Sequence, residues 1–469
     1  MTYLRLTPES LKQLPSSIAG PTYDPAAIKT GVVHLGVGNF HRAHQAVYFD
    51  RAIGRGDHRW GIIGASLRSP DVRDRMAQQS CLYTLTEADS TGTATRLMAP
   101  IREVIVATED PRRLIAALAH QDVHLVTLTL TEKGYGQGKG SAADFIVSGL
   151  AERRARGLAP FTTISCDNLP DNGRVIEKAV LAIAAARDPA LHDWIVANAA
   201  FPNSMIDRIV PATTPDDIAA LAAKTGIEDQ AMVKTEAFSQ WVIEDRFCAP
   251  RPDFSALGVD LVTDVAPWEA AKLRLLNGAH STLAYLGALA GYDFVHQAIA
   301  APCYRALVER LWDESAATLA RDAGLDITAY RARLLNRFAN SELQHRTVQI
   351  AMDGSQKLPQ RLVAPLRERF KRGLESPALV LAIAGWMRWQ IGRAENGDRI
   401  IVDDPMAAQI AAQINWLQEP CSIVQALLKI EAVFGADLKG NSALQQALAA
   451  NLQSLLARGA AATVADLVL

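Results

Sequence analysis

The sequence predicts an α/β amino-terminal domain followed by a mostly α-helical carboxy-terminal domain, on three observations. Apolar strand-like runs alternate with helical patterns through the first part of the chain, the signature of a parallel sheet with helices on both faces. The first of these runs, Gly31-Val-Val-His-Leu-Gly-Val-Gly38, passes directly into a glycine turn. From about Pro267 onward, alanine- and leucine-rich helical patterns dominate and strand-like runs almost vanish. The boundary is placed near residue 265, giving domains over 1–265 and 266–469. At 469 residues the chain has room for two or three domains with substantial cores.

Each element has its own local reason. After Gly38, the stretch Asn39 to Asp50 lacks Gly and Pro and can be helical. Trp60-Gly-Ile-Ile-Gly-Ala-Ser66 reads as a second buried strand, and Val123-His-Leu-Val-Thr-Leu-Thr-Leu130 as a third. Pro111 to His120 is a helical pattern between them. Phe161-Thr-Thr-Ile-Ser-Cys166 is a further core strand, ending at Asp167 and Asn168. The alanine-rich patches at 181–186 and 447–462 are ordinary helix formers, and no fixed-period repeat is present.

Composition excludes several classes. Apolar residues make up 49% and charged residues 21%, with a net charge of −2, so neither a disordered chain nor a general nucleic-acid binder fits. The apolar run around Ala378 to Trp386 is far short of the ~20 residues of a membrane span. The five cysteines are scattered without a CxxC pair, and the first residues lack a signal-peptide core, so a cytoplasmic location is expected.

The glycine turn is the first functional signal. Gly36 and Gly38, between a strand and a helix, open a dinucleotide-binding turn, in which small residues let backbone approach a pyrophosphate. The fingerprint is partial, because its sixth position is His41 where Gly or Ala is usual, and a plain tight turn is the alternative. Asn39 and Phe40 continue the turn. Asp71, in Ala65-Ser-Leu-Arg-Ser-Pro-Asp71, is the candidate for the adenosine ribose hydroxyls, although it lies farther on than the usual ~20 residues. An acid there favours NAD, whereas Arg68 nearby would welcome the 2′-phosphate of NADP; NAD is the expected coenzyme.

The second signal lies in Trp268-Glu-Ala-Ala-Lys-Leu-Arg-Leu-Leu-Asn-Gly-Ala-His280. Pro267 suits a first helical turn, and the leucines supply an apolar stripe. At roughly 100° per residue, Lys272 at 0°, His280 at about 80° and Asn277 at about 140° share one broad face. Lys272 could move a proton and Asn277 could hold an oxygen; the alternative is that these residues are merely solvated on a helix surface.

Three polar islands stand where elements should end: Ser165-Cys-Asp-Asn-Leu-Pro-Asp-Asn-Gly173, Phe201-Pro-Asn-Ser-Met-Ile-Asp207-Arg208 and Asp353-Gly-Ser-Gln-Lys357. Asn168 could donate its amide to a developing alkoxide, or merely make an Asx turn. Tyr135 and Lys139 match the Tyr-x-x-x-Lys spacing of short-chain dehydrogenases, but the intervening glycines deny them a shared helix. His41 and His44 have no carboxylate or cysteine partner at a metal-binding spacing, so no metal site is expected. No Gly-x-Ser-x-Gly elbow or P-loop is present.

Together these pieces resemble one family, the polyol-specific long-chain dehydrogenases, which contains mannitol 2-dehydrogenases and fructuronate reductases. The resemblance rests on six collinear motifs: His34 to Gln45, Thr129 to Tyr135, Ser165 to Gly173, Phe201 to Ile209, Gln240 to Asp245 and Lys272 to His280. It covers residues 30 to 465. It implies a Rossmann-type first domain, a helical second domain and a zinc-independent active site in the cleft between them. It further implies that Lys272 is the general acid/base, that Asn168 and Asn277 form the oxygen pocket, and that His280 contacts that oxygen or its neighbouring hydroxyl. Asp207 and Lys357 fall where the family places substrate-binding or supporting groups. Burial would push Lys272 below the usual lysine range, as a base near neutrality requires.

Within the family, His345 to Arg361 resembles fructuronate reductases more than mannitol dehydrogenases, as does Thr131-Glu-Lys133-Gly-Tyr135. A uronate carries a terminal carboxylate, which wants a cation with fork geometry; Arg361, Arg346 and Lys133 are the candidates. Lys234-Thr-Glu-Ala-Phe238 departs from the family pattern of Cys-Glu-Pro-Phe. The expected reaction is reduction of D-fructuronate to D-mannonate with NADH, by a monomer or small homo-oligomer acting on a small sugar acid or polyol. A mannitol 2-dehydrogenase or other polyol dehydrogenase, such as one for D-arabinitol, is the alternative. A coenzyme sensor without turnover is the contrasting reading, against which stands the joint retention of Lys272, Asn168, Asn277 and His280.

Overall fold

The computed structural model describes residues 3–89, 92–130, 132–136, 138–320 and 324–468; the side chains of Glu132, Lys133 and Leu343 lie outside the described set. The chain divides into two units, Met1–Ala266 and Pro267–Leu469.

The first unit is built on a five-stranded parallel sheet: β1 (Thr30–Leu35), β2 (Gly61–Ser66), β3 (Ile101–Val106), β4 (Leu125–Leu128) and β5 (Thr162–Ser165). Their spatial order is 3-2-1-4-5, all parallel, the Rossmann arrangement in which the order reverses at β1. Alternation across the pleat explains the near-continuous apolar runs. Val32, Ile62, Leu125 and Ile164 pack into the core on one face, and Val33, Ala65, Val126 and Leu128 into the core on the other.

The sequence pattern did not single out β3, and its position explains why. It is an edge strand, and Arg102 is exposed while Glu103 and Val104 are half-buried, so its alternation is diluted by solvent. The antiparallel pair Tyr83–Asp89 and Gly92–Met98 was likewise unmarked, and forms part of a separate four-stranded sheet.

The helix expected over Asn39 to Asp50 is two helices, α1 (Asn39–Ala43) and α2 (Gln45–Gly54). They break at His44, whose φ of −121° and ψ of −85° are not helical. Its ring bonds the Gln240 carbonyl at 2.9 Å, so a tertiary contact holds a break that no Gly or Pro announces. Further along come α3 (Asp71–Ala77), α4 (Pro111–Leu118), α5 (Ala142–Ala155) and α6 (Asn172–Arg187). Pro111 sits in the first turn of α4, and Asp110 caps it by accepting from the Arg113 N–H at 2.9 Å.

The second unit is helical, and among its described residues the only strand-like pairings are isolated bridges. Its core runs from Ala271 to Val464. At its centre, helix Pro377–Gln390 is buried along nearly its whole length. The Glu314 carboxylate accepts from the Ala378 and Leu379 N–H groups at 2.9 Å each, satisfying donors that a buried helix start would otherwise leave unpaired. No helix among the described residues is long and apolar enough to cross a membrane.

Candidate active site

In the first unit the site begins where β1 ends. Gly36 has φ +98°, and a Cβ there would lie 2.0 Å from the Thr129 carbonyl oxygen, so only glycine fits. Gly38 differs: a Cβ added there would meet no protein atom closer than 4.0 Å. Backbone openness at that point, immediately before the first turn of α1, suits approach by a pyrophosphate, and the residues present therefore fit a dinucleotide. Asn39 is held on both sides, its amide donating to the Thr213 hydroxyl at 3.2 Å while its carbonyl accepts from Arg42 at 2.6 Å. The Phe40 ring stacks on His44 with centroids 5.1 Å apart.

Asp71 is exposed and is the first residue of α3, five positions beyond the last residue of β2. The carboxyl end of β2 itself carries Ser66, followed by Leu67 and the exposed Arg68. Asn168 is exposed in the turn after β5. The preceding Asp167 ties that turn to the end of β4, accepting from the Leu130 N–H at 2.6 Å and from the Tyr135 hydroxyl. Burial raises the Asp167 carboxyl to about 6 against these bonds. Tyr135 ends a short 3₁₀ turn and Lys139 lies in a later turn, so the pair shares no helix. Asp207 is buried at the end of β6 (Ser204–Asp207), beside Arg208, which is itself paired with Glu87.

In the second unit, the expected α-helix around Lys272 is interrupted. Ala266–Ala271 is α-helical, Lys272–Asn277 is a π turn, and Gly278–Thr282 returns to α. The Gly278 N–H donates to the Leu273 carbonyl, the i→i+5 bond that defines the wider turn. In an α-helix Lys272 and Asn277 would diverge by roughly 140°. A π turn places residues five apart about one turn on from each other, so the two now share a side. Trp312 donates its indole N–H to the Leu275 carbonyl at 2.9 Å, which anchors the widened turn to the core. Lys272 and His280 are both buried.

Another π turn, Pro359–Val363, packs against this one. Gly278 permits the approach: a Cβ there would lie 3.1 Å from the Arg361 carbonyl oxygen. Arg361 then donates to the Ser281 hydroxyl at 3.1 Å, its only hydrogen bond to a described residue. Burial lowers the Arg361 guanidinium to about 10. Lys357 donates to the Met352 carbonyl at 2.5 Å and lies 3.6 Å from Asp353; burial first, then Arg361, lowers its ammonium.

His280 is held neutral, well below the usual histidine range, by burial and then by His345, Arg337 and Arg361. Its ring meets His345 edge-on at 5.2 Å and Phe338 at 4.7 Å. His345 is pushed down to about 4 by burial, then by Arg337 and Lys357. The structure thus gathers Lys357, Arg361, Arg337, His280 and His345 with Asp353 as the near carboxylate. Three of these were expected; His345 and Arg337 were not, and only the position of His345 inside the distinctive 345–361 segment hinted at it. Arg346 does not join them, since its guanidinium lies over the Phe294 ring, 5.8 Å from the centroid. Lys133 falls outside the described side chains. Among the described residues, no group of three or more His, Cys, Asp or Glu is placed to hold a metal ion.

Two family models match the chain. The mannitol dehydrogenase Rossmann domain covers residues 30–256, and the mannitol dehydrogenase C-terminal domain covers residues 264–456. The chain belongs to the mannitol dehydrogenase family. It is 40% identical to the D-mannonate oxidoreductase of Escherichia coli, over 96% of this chain and 98% of that one. It is 37% identical to a mannitol 2-dehydrogenase of Phaeosphaeria nodorum, over 99% of this chain and 85% of that one. Among solved structures it resembles Pseudomonas fluorescens mannitol 2-dehydrogenase in ternary complex with NAD and D-mannitol, at 35% identity, TM-score 0.86 and 99% coverage of both chains. This member of the mannitol dehydrogenase family is an oxidoreductase acting on CH–OH groups.

Proposed function

We propose that this enzyme reduces D-fructuronate to D-mannonate with NADH, and catalyses the reverse oxidation with NAD. One observation carries the choice of substrate. Arg361 is half-buried, sits among Lys357, Arg337, His280 and His345, and has a single hydrogen bond to a described protein group. A partly desolvated guanidinium with most of its fork unused by the protein is poised for a bidentate anion. The terminal carboxylate of a hexuronate is such an anion, and fructose has none. The 40% identity to a D-mannonate oxidoreductase supports the same reading.

Lys272 is the acid/base in this scheme. As the ammonium it gives its proton to the substrate oxygen during reduction, and as the amine it takes it back during oxidation. Asn277, brought to the same side of the π turn, donates its amide to that oxygen, and Asn168 keeps the role implied by the family resemblance. Neutral His280 can bond the oxygen or its neighbouring hydroxyl without adding a charge of its own. The bound nicotinamide coenzyme supplies or accepts the hydride. NAD is the proposed coenzyme on the strength of Asp71 and of the NAD held by the solved relative.

The test is steady-state turnover with D-fructuronate, D-tagaturonate and D-fructose, using NADH and NADPH in parallel. The expected result is a kcat/KM for fructuronate about 100-fold above that for fructose, about 2.7 kcal/mol of transition-state discrimination. A preference for fructose would select the mannitol 2-dehydrogenase reading suggested by the fungal relative.

A further inference from the structure

His34 and His41 lie under the glycine turn, fully buried, with rings stacked face to face at 3.4 Å and 13°. His34 leaves no polar atom idle. Its Nδ1 lies 2.7 Å from the Thr127 hydroxyl, and its Nε2 lies 2.9 Å from the Thr129 hydroxyl and 3.2 Å from the Gly36 carbonyl. The Thr129 hydroxyl donates to that same carbonyl at 2.7 Å, so its oxygen accepts from His34, and the proton belongs on Nε2. The Thr127 hydroxyl then donates to the bare Nδ1. Burial, which pushes His34 down to about 3, keeps this neutral form throughout the working range.

Three donors therefore converge on one backbone oxygen: His34 Nε2, the Thr129 hydroxyl and, at 2.7 Å, the Gly38 N–H. Gly36 has the positive φ that sets the direction of the turn. In the usual fingerprint a small third residue lets helix and strand pack closely. Here that position is His41, and its ring lies flat on the ring of a strand residue. We propose that His34 is the positioning residue of the coenzyme turn: spaced from α1 by His41 and bonded to Thr127 and Thr129, it fixes the Gly36 carbonyl and thereby prearranges the Gly38–Asn39 backbone for the pyrophosphate.

The inference depends on coenzyme binding at this turn and not on the identity of the sugar substrate. Its test is direct titration of the full chain with NADH, followed by nicotinamide fluorescence without substrate, alongside thermal unfolding. For His34→Leu the Kd for NADH should rise about tenfold, the order expected for one lost hydrogen bond of this kind, with a much smaller fall in kcat at saturating coenzyme. His34→Gln, which keeps an N–H for Thr129, should recover most of the affinity. Thr129→Val, half-exposed and isosteric, should raise Kd with little change in Tm and serves if His34→Leu does not fold. Unchanged affinity in a folded Thr129→Val, or a His34→Gln that binds as weakly as a folded His34→Leu, would overturn the assignment. Absence of NADH and NADPH binding by the parent chain would instead overturn the coenzyme reading itself.

Discussion

The two regions that carry the candidate site solve different physical problems. The glycine turn of the first unit is a backbone construction, in which a glycine at positive φ, an open glycine and buried neutral imidazoles fix where peptide groups point. The paired π turns of the second unit are a side-chain construction, in which cations are crowded together and desolvated. The first should tolerate almost no change of shape, and the second almost no change of charge. On the proposed reading, the first binds a dinucleotide through geometry and the second selects a small substrate through electrostatics.

The sharpest way to test the second half of that contrast is Lys272→Ala. It should lower kcat by about 10²–10⁴-fold while NADH still binds, as expected for loss of an acid/base group. Parallel loss of NADH affinity would show that Lys272 supports the fold of the site instead. Next in size is Arg361→Gln. Its kcat/KM for fructuronate should fall by about 10–150-fold, the range for hydrogen bonds to a charged group, with little effect on fructose. An equal loss on both substrates would remove the carboxylate assignment.

For the backbone half, Gly36→Ala and Gly38→Ala should separate cleanly. Gly36→Ala forces a Cβ onto the Thr129 carbonyl at positive φ and should cost stability on the order of 1–3 kcal/mol, read as a lower Tm. Gly38→Ala meets no protein atom, so Tm should hold while the Kd for NADH rises. A Gly38→Ala protein with normal coenzyme affinity would break the geometric account.

The smallest expected effect concerns pH. His345 has its imidazole pushed down to about 4 in the folded chain, against about 6.5 for a free histidine. Between those values the unfolded chain takes up a proton that the folded one refuses, so this residue's contribution to stability is lost as pH falls from 6.5 towards 4. The slope is at most about 1.4 kcal/mol per pH unit. His345→Asn should therefore show a shallower fall of Tm between pH 7 and 5 than the parent, and an identical slope would show that His345 is not linked to stability.

Much of this was legible in the residue string. The alternation of strands and helices, the glycine pair and the change of character near Pro267 are local patterns, and they led to the Rossmann-type and helical architecture that the family models match. Lys272, Asn277 and His280 were also nameable from spacing. Their α-helical geometry was not right, because a π turn inserts a residue that periodicity cannot register; its anchor, Trp312, lies 37 residues away. The edge strand β3 was missed because solvent dilutes its pattern, and the break at His44 because its partner is the distant Gln240 carbonyl.

By itself, then, the sequence determined the class of fold, the glycine turn after the first strand and the residue types available for proton transfer, since these follow from hydrophobic period, glycine and side-chain chemistry. Only the tertiary structure decided which cations stand together. Arg361, Arg346 and Lys133 were equal candidates in one dimension, yet close packing of two π turns at Gly278 sets Arg361 beside His280 and Lys357, while Arg346 rests on Phe294. Desolvation and Coulomb interaction depend on distance in space, and spacing along the chain does not encode it.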